Sequence, residues 1–330
     1  MSLHHPRDVL EPAQAGQIQL PVCDHYCGVE ARMLKSIQLQ EQMTKEFGIC
    51  VFDVTLDCED GAPVGGELDH AQMVAELALS AKPNARLGVR VHPIHHQSFE
   101  SDVQTILKKA GKKISHLMLP KVDTYEELTR ALHDVNEAGG IHTPIHVLIE
   151  SPRGVANVNE IAAHPRVQSI SFGVMDFVST HAGAIPSSAM DLEGQFSHPL
   201  VLRAKIEISE ACHANGKVPS HCVVTEFKDT KALLKAARVA AQQYGFTRMW
   251  SIHPDQIRPI LEAFSPNADE IARASEIILE AQKAEWAPIS FQQQLHDRAS
   301  YRYFWHLLEK AHVTGRVLPN EIRSLFSQNL

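Results

Sequence analysis

The sequence has no apolar stretch approaching the ~18 residues that a membrane-crossing helix needs, and its opening, Met1-Ser-Leu-His-His-Pro-Arg7, carries no apolar signal region. A cytoplasmic protein with no membrane partner is the expectation. Basic residues are in the minority, 31 Lys and Arg against 39 Asp and Glu for a formal net charge of -8, so there is no cationic surplus of the kind that nucleic acid requires. A local basic site for a small anionic substrate stays open. Cysteines number only six in 330 residues, scattered in a way that suits reduced thiols better than a disulfide framework. Cys23 and Cys27 flank His25, but no second Cys/His pair follows with the spacing of a zinc site. Also missing is a Gly-x-Gly-x-x-Gly turn after the first strand-like run, which counts against a dinucleotide-binding sheet.

What is present is a repeating alternation. Eight strand-like runs begin at Gln17, Ile49, Arg86, His116, His146, Ser169, Val218 and Met249, and each is followed by a stretch with apolar residues at helical spacing, such as Leu128, Ala131, Leu132 and Val135. Eight such units predict a (β/α)8 TIM barrel over residues 1–265. Three helices, over about 267–284, 299–313 and 318–328, are expected to form a C-terminal helical extension spanning 266–330, either a cap on the barrel or an arm over a partner. The one long interval, Phe177 to His198, falls where a barrel places a lid over its catalytic face.

Barrel enzymes draw their chemistry from the C-terminal ends of strands. Those ends carry Asp57, Glu59 and Asp60, then Arg90 and His92, Lys121, Glu150, Asp176, and His253 with Asp255. Glu150 and Asp176 close consecutive runs, so on neighbouring strands about 4.8 Å apart their carboxylates repel unless a cation lies between them. Oxygen donors without sulfur or imidazole favour Mg²⁺ or Mn²⁺, and an ion chelated by a 2-oxo acid would polarise its carbonyl. Arg90 offers a planar, permanently charged donor fork for a carboxylate or developing oxyanion. Each has a plainer alternative: a helix cap or salt-bridge partner for the acids, neutralisation of Glu59 or Asp60 for Arg90, a turn-seating role for Lys121, and a helix start for His253-Pro-Asp-Gln256.

These pieces resemble the citrate lyase β-subunit-like family of carbon–carbon lyases, which includes malyl-CoA lyases. Leu56-Asp-Cys-Glu-Asp-Gly61 is similar to the family's Leu-Asp-Leu-Glu-Asp, Arg90-Val-His to Arg-x-Asn and Leu119-Pro-Lys121 to Leu-Pro-Lys. Glu150-Ser-Pro-Arg-Gly-Val-Ala-Asn157 is similar to Glu-Thr-Pro-x-Gly with a following Asn; Phe172-Gly-Val-Met-Asp176 and Ile252-His-Pro-Asp-Gln-Ile257 complete the series. The chain departs where the family has Phe-Val-Pro-Gly, carrying Val22-Cys-Asp-His-Tyr-Cys-Gly28 instead, and where His92 replaces Asn.

The resemblance implies Mg²⁺ on Glu150 and Asp176 and Arg90 at the reacting oxygen; Glu59 and Asp60 are expected to orient Arg90, and Lys121 is expected on the cofactor side. It implies a small oxo acid as partner, a CoA thioester in many relatives, and a homo-oligomer, trimer or hexamer, whose C-terminal segment reaches a neighbouring site. Leu295-His-Asp297-Arg aligns with a stretch whose aspartate serves acid/base chemistry, which makes Asp297 the candidate proton donor. The expected reaction is retro-Claisen or retro-aldol cleavage of a 3-hydroxy acid or its thioester. The alternatives are a thioester hydrolase on the same scaffold and a lyase subunit active only with an acyl-carrier partner.

Overall fold

The computed structural model describes residues 4–10 and 19–327. Eight parallel strands close a barrel in sequence order: β1 Cys23–Cys27, β2 Phe52–Asp57, β3 Leu87–Arg90, β4 His116–Leu119, β5 Ile145–Ile149, β6 Val167–Phe172, β7 Val218–His221 and β8 Arg248–Ser251. Closure comes from β1, which pairs in parallel with β2 on one side and β8 on the other. Helices cover the outside, and several of their starts are chemically marked. Thr124 caps Tyr125–Glu137 by accepting the Glu127 N–H, and His253 with Gln256 forms a reciprocal cap on Pro254–Phe264. The expected helix face of Leu128, Ala131, Leu132 and Val135 is buried against the barrel. Among the described residues no helix is long and apolar enough to cross a membrane.

Strand alternation stacks the barrel interior in layers. At the N-terminal end the layer is polar: Arg248 Nη2 lies 3.0 Å from Asp24 Oδ2 and 2.7 Å from Asp53 Oδ2, and Thr55 Oγ1 donates to Asp24 Oδ1 at 2.7 Å. The His116 and His146 rings stack there, centroids 3.8 Å apart and 13° from parallel. Gly88 makes room for the stack, because a Cβ on it would stand 2.0 Å from His116 Nε2. Two residues further along their strands, Met118, Leu148 and Trp250 form an apolar layer against which Tyr26 and Val223 pack. Beyond it lies the C-terminal mouth.

The helices Ala268–Lys283, Arg298–Val313 and Asn320–Ser327 build a second core around Ile277, Ile278, Tyr301, Trp305, Leu308 and Ile322. An N-terminal helix, Pro6–Leu10, joins it through Leu10 and an Arg7 Nε to Glu309 Oε1 ion pair at 2.6 Å. A hairpin of Ile289–Phe291 and Gln294–His296 completes the unit. Its turn residues Gln292 and Gln293 both have positive φ, 51° and 62°, a conformation usually signalled by Asn-Gly. Gln-Gln gives no such signal, and the hairpin is not legible in the sequence. The first strand also differs from expectation. Residues 17 and 18 of the expected run lie outside the described residues, and β1 instead uses Cys-Asp-His-Tyr-Cys, whose inward Asp24 and Tyr26 are polar and disguise it. The segment expected as a lid is anchored at its far end: Gln195 is fully buried, donating to Met190 O and Val223 O, while Lys205 Nζ donates to Gln195 O at 2.7 Å.

Burial holds four core histidines neutral, pushing His116 down to about 3 and His25 to about 4, and lowering His146 and His221 well below the usual range. Their folded pKa values lie below the unfolded value near 6.5. Their contribution is therefore complete above about pH 6.5 and lost as pH falls from there toward the folded values, at roughly 1.4 kcal/mol per pH unit for each histidine. The double variant His116→Asn, His146→Asn should show about half the acid slope of the parent, measured by denaturant unfolding at about pH 7 and about pH 5.

Candidate active site

Arg90, at the end of β3 and 5% exposed, is the hub of the mouth. Nε donates to Asp57 Oδ1 at 2.6 Å, and Nη2 donates to both Asp60 Oδ2 and the Tyr26 hydroxyl at 2.8 Å. Nη1 faces Glu59 Oε2 at 2.9 Å as an ion pair and keeps the unused N–H capacity of the fork. The plainer reading of Arg90, neutralisation of Glu59 and Asp60, therefore holds alongside its availability to a ligand. Burial alone would raise the Asp57 carboxyl, but the Arg90 charge and bonds from Arg90, Tyr26 and the Glu59 N–H hold it below the usual range. Asp57 also binds the Gly61 N–H, fixing the loop that presents Glu59 and Asp60.

Glu150 follows β5 and is 3% exposed. Its Oε1 accepts the Lys121 backbone N–H at 2.8 Å, and Lys121 adopts φ of 52°, a strained conformation for a residue with a side chain. The strain aims a main-chain donor at the carboxylate. On the other side Gly173 is obligatory in size: a Cβ there would stand 2.6 Å from Glu150 Oε2 and 2.7 Å from Glu150 Cβ. Burial, followed by the nearby Glu59 and Asp176 charges, raises the Glu150 carboxyl well above its ordinary value.

Asp176 is displaced from its expected position at a strand end. β6 stops at Phe172, and Asp176 lies in the first turn of the helix Val174–Ser179, with its side chain about half exposed. The apolar Val174 and Met175 imitate a continuing strand, but the chain turns at Gly173 to clear Glu150. Lys121 Nζ pairs with Glu59 Oε1 at 2.6 Å and stands 3.7 Å from Asp176 Oδ1. The mouth thus gathers Asp57, Glu59, Asp60, Glu150 and Asp176 against Arg90 and Lys121, five carboxyls to two cations.

The remaining pieces of the motifs are each engaged by local partners. Ser151 caps the turn after Glu150, accepting the Gly154 N–H and donating to Asp123, while Asn157 Nδ2 donates to Asp123 O. His92 is held by Asp102, with Nδ1 2.6 Å from Oδ2. Asp297 caps the helix Arg298–Val313 by accepting the Ala299 and Ser300 N–H groups. Its hydrogen bonds are with Ala299 and Ser300 rather than with the rim.

A second cluster, Asp24, His116 and His146 at the barrel base, brings potential ligand atoms within 4.8 Å of one another. It does not suit an ion: parallel stacked imidazoles point their lone pairs side by side, so a shared metal would lie far out of both ring planes, and Arg248 already occupies Asp24. The Cys23 and Cys27 thiols are buried and raised by burial, which disfavours the thiolate a metal needs. Sequence reasoning missed Tyr26 and Gly173. Tyr26 lies in the segment that departs from the resembled pattern, and the role of Gly173 depends on a carboxylate from another strand.

The family profile described as HpcH/HpaI aldolase/citrate lyase matches residues 34–254, a span that contains the whole acidic mouth. The chain belongs to the HpcH/HpaI aldolase/citrate lyase family. An L-malyl-CoA/β-methylmalyl-CoA lyase of Cereibacter sphaeroides is 32% identical over 250 residues, covering 70% of this chain and 78% of that protein. A crystal structure of a citrate lyase from Burkholderia xenovorans LB400 is 45% identical with a TM-score of 0.80, covering 98% of this chain and 99% of that one. The CitE protein of Mycobacterium tuberculosis, solved with magnesium, acetoacetate and coenzyme A, shares the fold at 21% identity and a TM-score of 0.64, covering 88% of this chain and 98% of its own. As a member of the HpcH/HpaI aldolase/citrate lyase family with lyases as its relatives, the chain is a carbon–carbon lyase of the citrate lyase and malyl-CoA lyase type.

Gly173→Ala should displace Glu150 without strain at its own backbone, whose φ is -97°. A crystal structure of the variant should show the Glu150 carboxylate displaced from the Lys121 N–H, with the variant remaining folded by circular dichroism.

Proposed function

We propose that the chain is a Mg²⁺-dependent lyase that cleaves a 3-hydroxy acid, or its CoA thioester, by retro-aldol or retro-Claisen chemistry and runs the reverse condensation. One observation carries the reading: Glu150 is a buried carboxyl, raised in part by Asp176, and no side-chain cation stands within ion-pair distance of it among the described residues. Lys121, the nearest candidate for a permanent counter-ion, pairs with Glu59 at 2.6 Å and with Asp176 at 3.7 Å, and leaves Glu150 without one. A hard divalent ion suits this oxygen-only pair, Mg²⁺ first and Mn²⁺ as alternative, and when bound between Glu150 and Asp176 it would supply Lewis-acid polarisation of the oxo-acid carbonyl.

The chain's own groups account for the rest. In the cleavage direction the C3 hydroxyl gives up its proton to water, its electron pair closes a carbonyl, and the C2–C3 pair leaves with the acyl half as an enolate. Arg90 would donate from Nη1, now 2.9 Å from Glu59 Oε2, to oxygen as charge redistributes. Glu59 and Asp60 keep the guanidinium oriented, and the Lys121 main chain keeps Glu150 in position. The enolate must then accept a proton at carbon. We assign that donation to Asp297 from a second copy in a homo-oligomer, a trimer or hexamer, since its own fold engages it only in a helix cap. The malyl-CoA lyase and citramalyl-CoA lyase relatives favour a CoA thioester over a free acid, with a short 2-oxo acid as the other product.

Glu150→Gln and Asp176→Asn should each abolish Mg²⁺ binding by calorimetry while the circular dichroism spectrum is retained; unaltered affinity in both variants would remove the basis of the assignment. With malyl-CoA or citramalyl-CoA, acetyl-CoA and an oxo acid are expected, whereas free CoA without acetyl-CoA would identify a hydrolase. Mixed oligomers of inactive Asp297→Ala and inactive Asp176→Asn chains should regain activity, and verified mixtures that stay silent would place the proton donor elsewhere.

A further inference from the structure

We propose that the Tyr26 hydroxyl is a wedge that holds the Arg90–Asp57 pair open and thereby keeps Nη1 of Arg90 facing the substrate. An arginine beside a carboxylate normally closes into two parallel N–H···O bonds, here expected from Nε and Nη2 to the two oxygens of Asp57. The structure shows only half of that arrangement. Nε reaches Asp57 Oδ1 at 2.6 Å, but the hydroxyl of Tyr26 stands between the other two partners, donating to Asp57 Oδ2 and accepting from Arg90 Nη2 at 2.8 Å.

The tyrosine is well braced for such a task. Its ring stacks on Trp250 with centroids 5.7 Å apart at 17°, and Trp250 is fixed in turn by donating Nε1–H to Ser171 Oγ at 3.0 Å. The Arg90 guanidinium carbon lies 4.8 Å from the same tyrosine ring, adding cation–π attraction to the hydrogen bond. The hydroxyl is therefore carried on a rigid apolar support belonging to the layer beneath the mouth. Without it, the Nη2 N–H that Tyr26 accepts is released to Asp57 Oδ2 while Asp60 keeps the other, and the planar fork must rotate about Nε, carrying Nη1 away from its place beside Glu59. Tyr26 is thus a positioning residue: it acts on the reacting oxygen through Arg90.

The kinetic consequence rests on the proposed lyase reading, whereas the geometric one does not. Tyr26→Phe keeps the ring and its stacking and removes only the wedge. A crystal structure of this variant should show Nη2 within hydrogen-bond distance of Asp57 Oδ2 and Nη1 withdrawn from Glu59; an unmoved guanidinium would overturn the proposal whatever the enzyme's reaction proves to be. Mg²⁺ affinity by calorimetry should stay within about twofold of the parent, while kcat for malyl-CoA or citramalyl-CoA cleavage falls by about tenfold or more with little change in KM. A purely structural role would instead lower the melting temperature and the fraction of metal-binding protein together, leaving kcat per bound site unchanged, and that result would also overturn the proposal. Should the parent bind no Mg²⁺ while Tyr26→Phe still lets Arg90 collapse onto Asp57, the Mg²⁺-dependent reading fails and the wedge stands.

Discussion

The mouth of this barrel is organised by one buried guanidinium. Arg90 is the point at which β1, β2 and β3 agree on a geometry, since it meets Tyr26 from the first, Asp57 from the second, and the Glu59 and Asp60 loop that the second strand releases. A charge so deeply placed is tolerable only because carboxylates surround it, and those carboxylates are tolerable only because of the charge. Removing one partner leaves the others uncompensated. The arrangement still ends with more acid than base, five carboxyls against two cations.

Layering explains why the surplus accumulates at one end. The polar layer at the base closes on itself, with Arg248 shared between Asp24 and Asp53 and the histidine pair kept neutral by burial. The apolar layer of Met118, Leu148 and Trp250 separates it from the mouth. Two charged assemblies thus sit inside one barrel without sharing partners, the lower one internally matched and the upper one left open to a ligand.

Much of this is legible in the residues. The eight-fold alternation points to the barrel, and strand ends point to Asp57, Arg90, Lys121 and Glu150 because a parallel strand delivers its last side chains to one rim. The sequence pairs Asp176 with Glu150, but the placement of Asp176 one helical turn beyond the strand depends on Gly173 yielding to Glu150, a contact between separate strands that no local pattern encodes. β1 is hidden by its polar inward residues, and the Gln292-Gln293 turn by residues that rarely adopt it. Tyr26 is invisible for a related reason: a lone aromatic in an unfamiliar segment acquires meaning only when Arg90, Asp57 and Trp250 converge on it.

The meeting of the N-terminal helix with the C-terminal core has its own consequence. During synthesis the barrel strands emerge in pairing order, so the barrel can close before the C-terminal helices leave the ribosome, whereas Arg7 must wait for Glu309 and Leu10 for Ile322. The segment made earlier is among the last to find its place. Until then its apolar side chains travel unaccompanied, and the nascent chain carries one half of an unfinished clasp beside an already finished body.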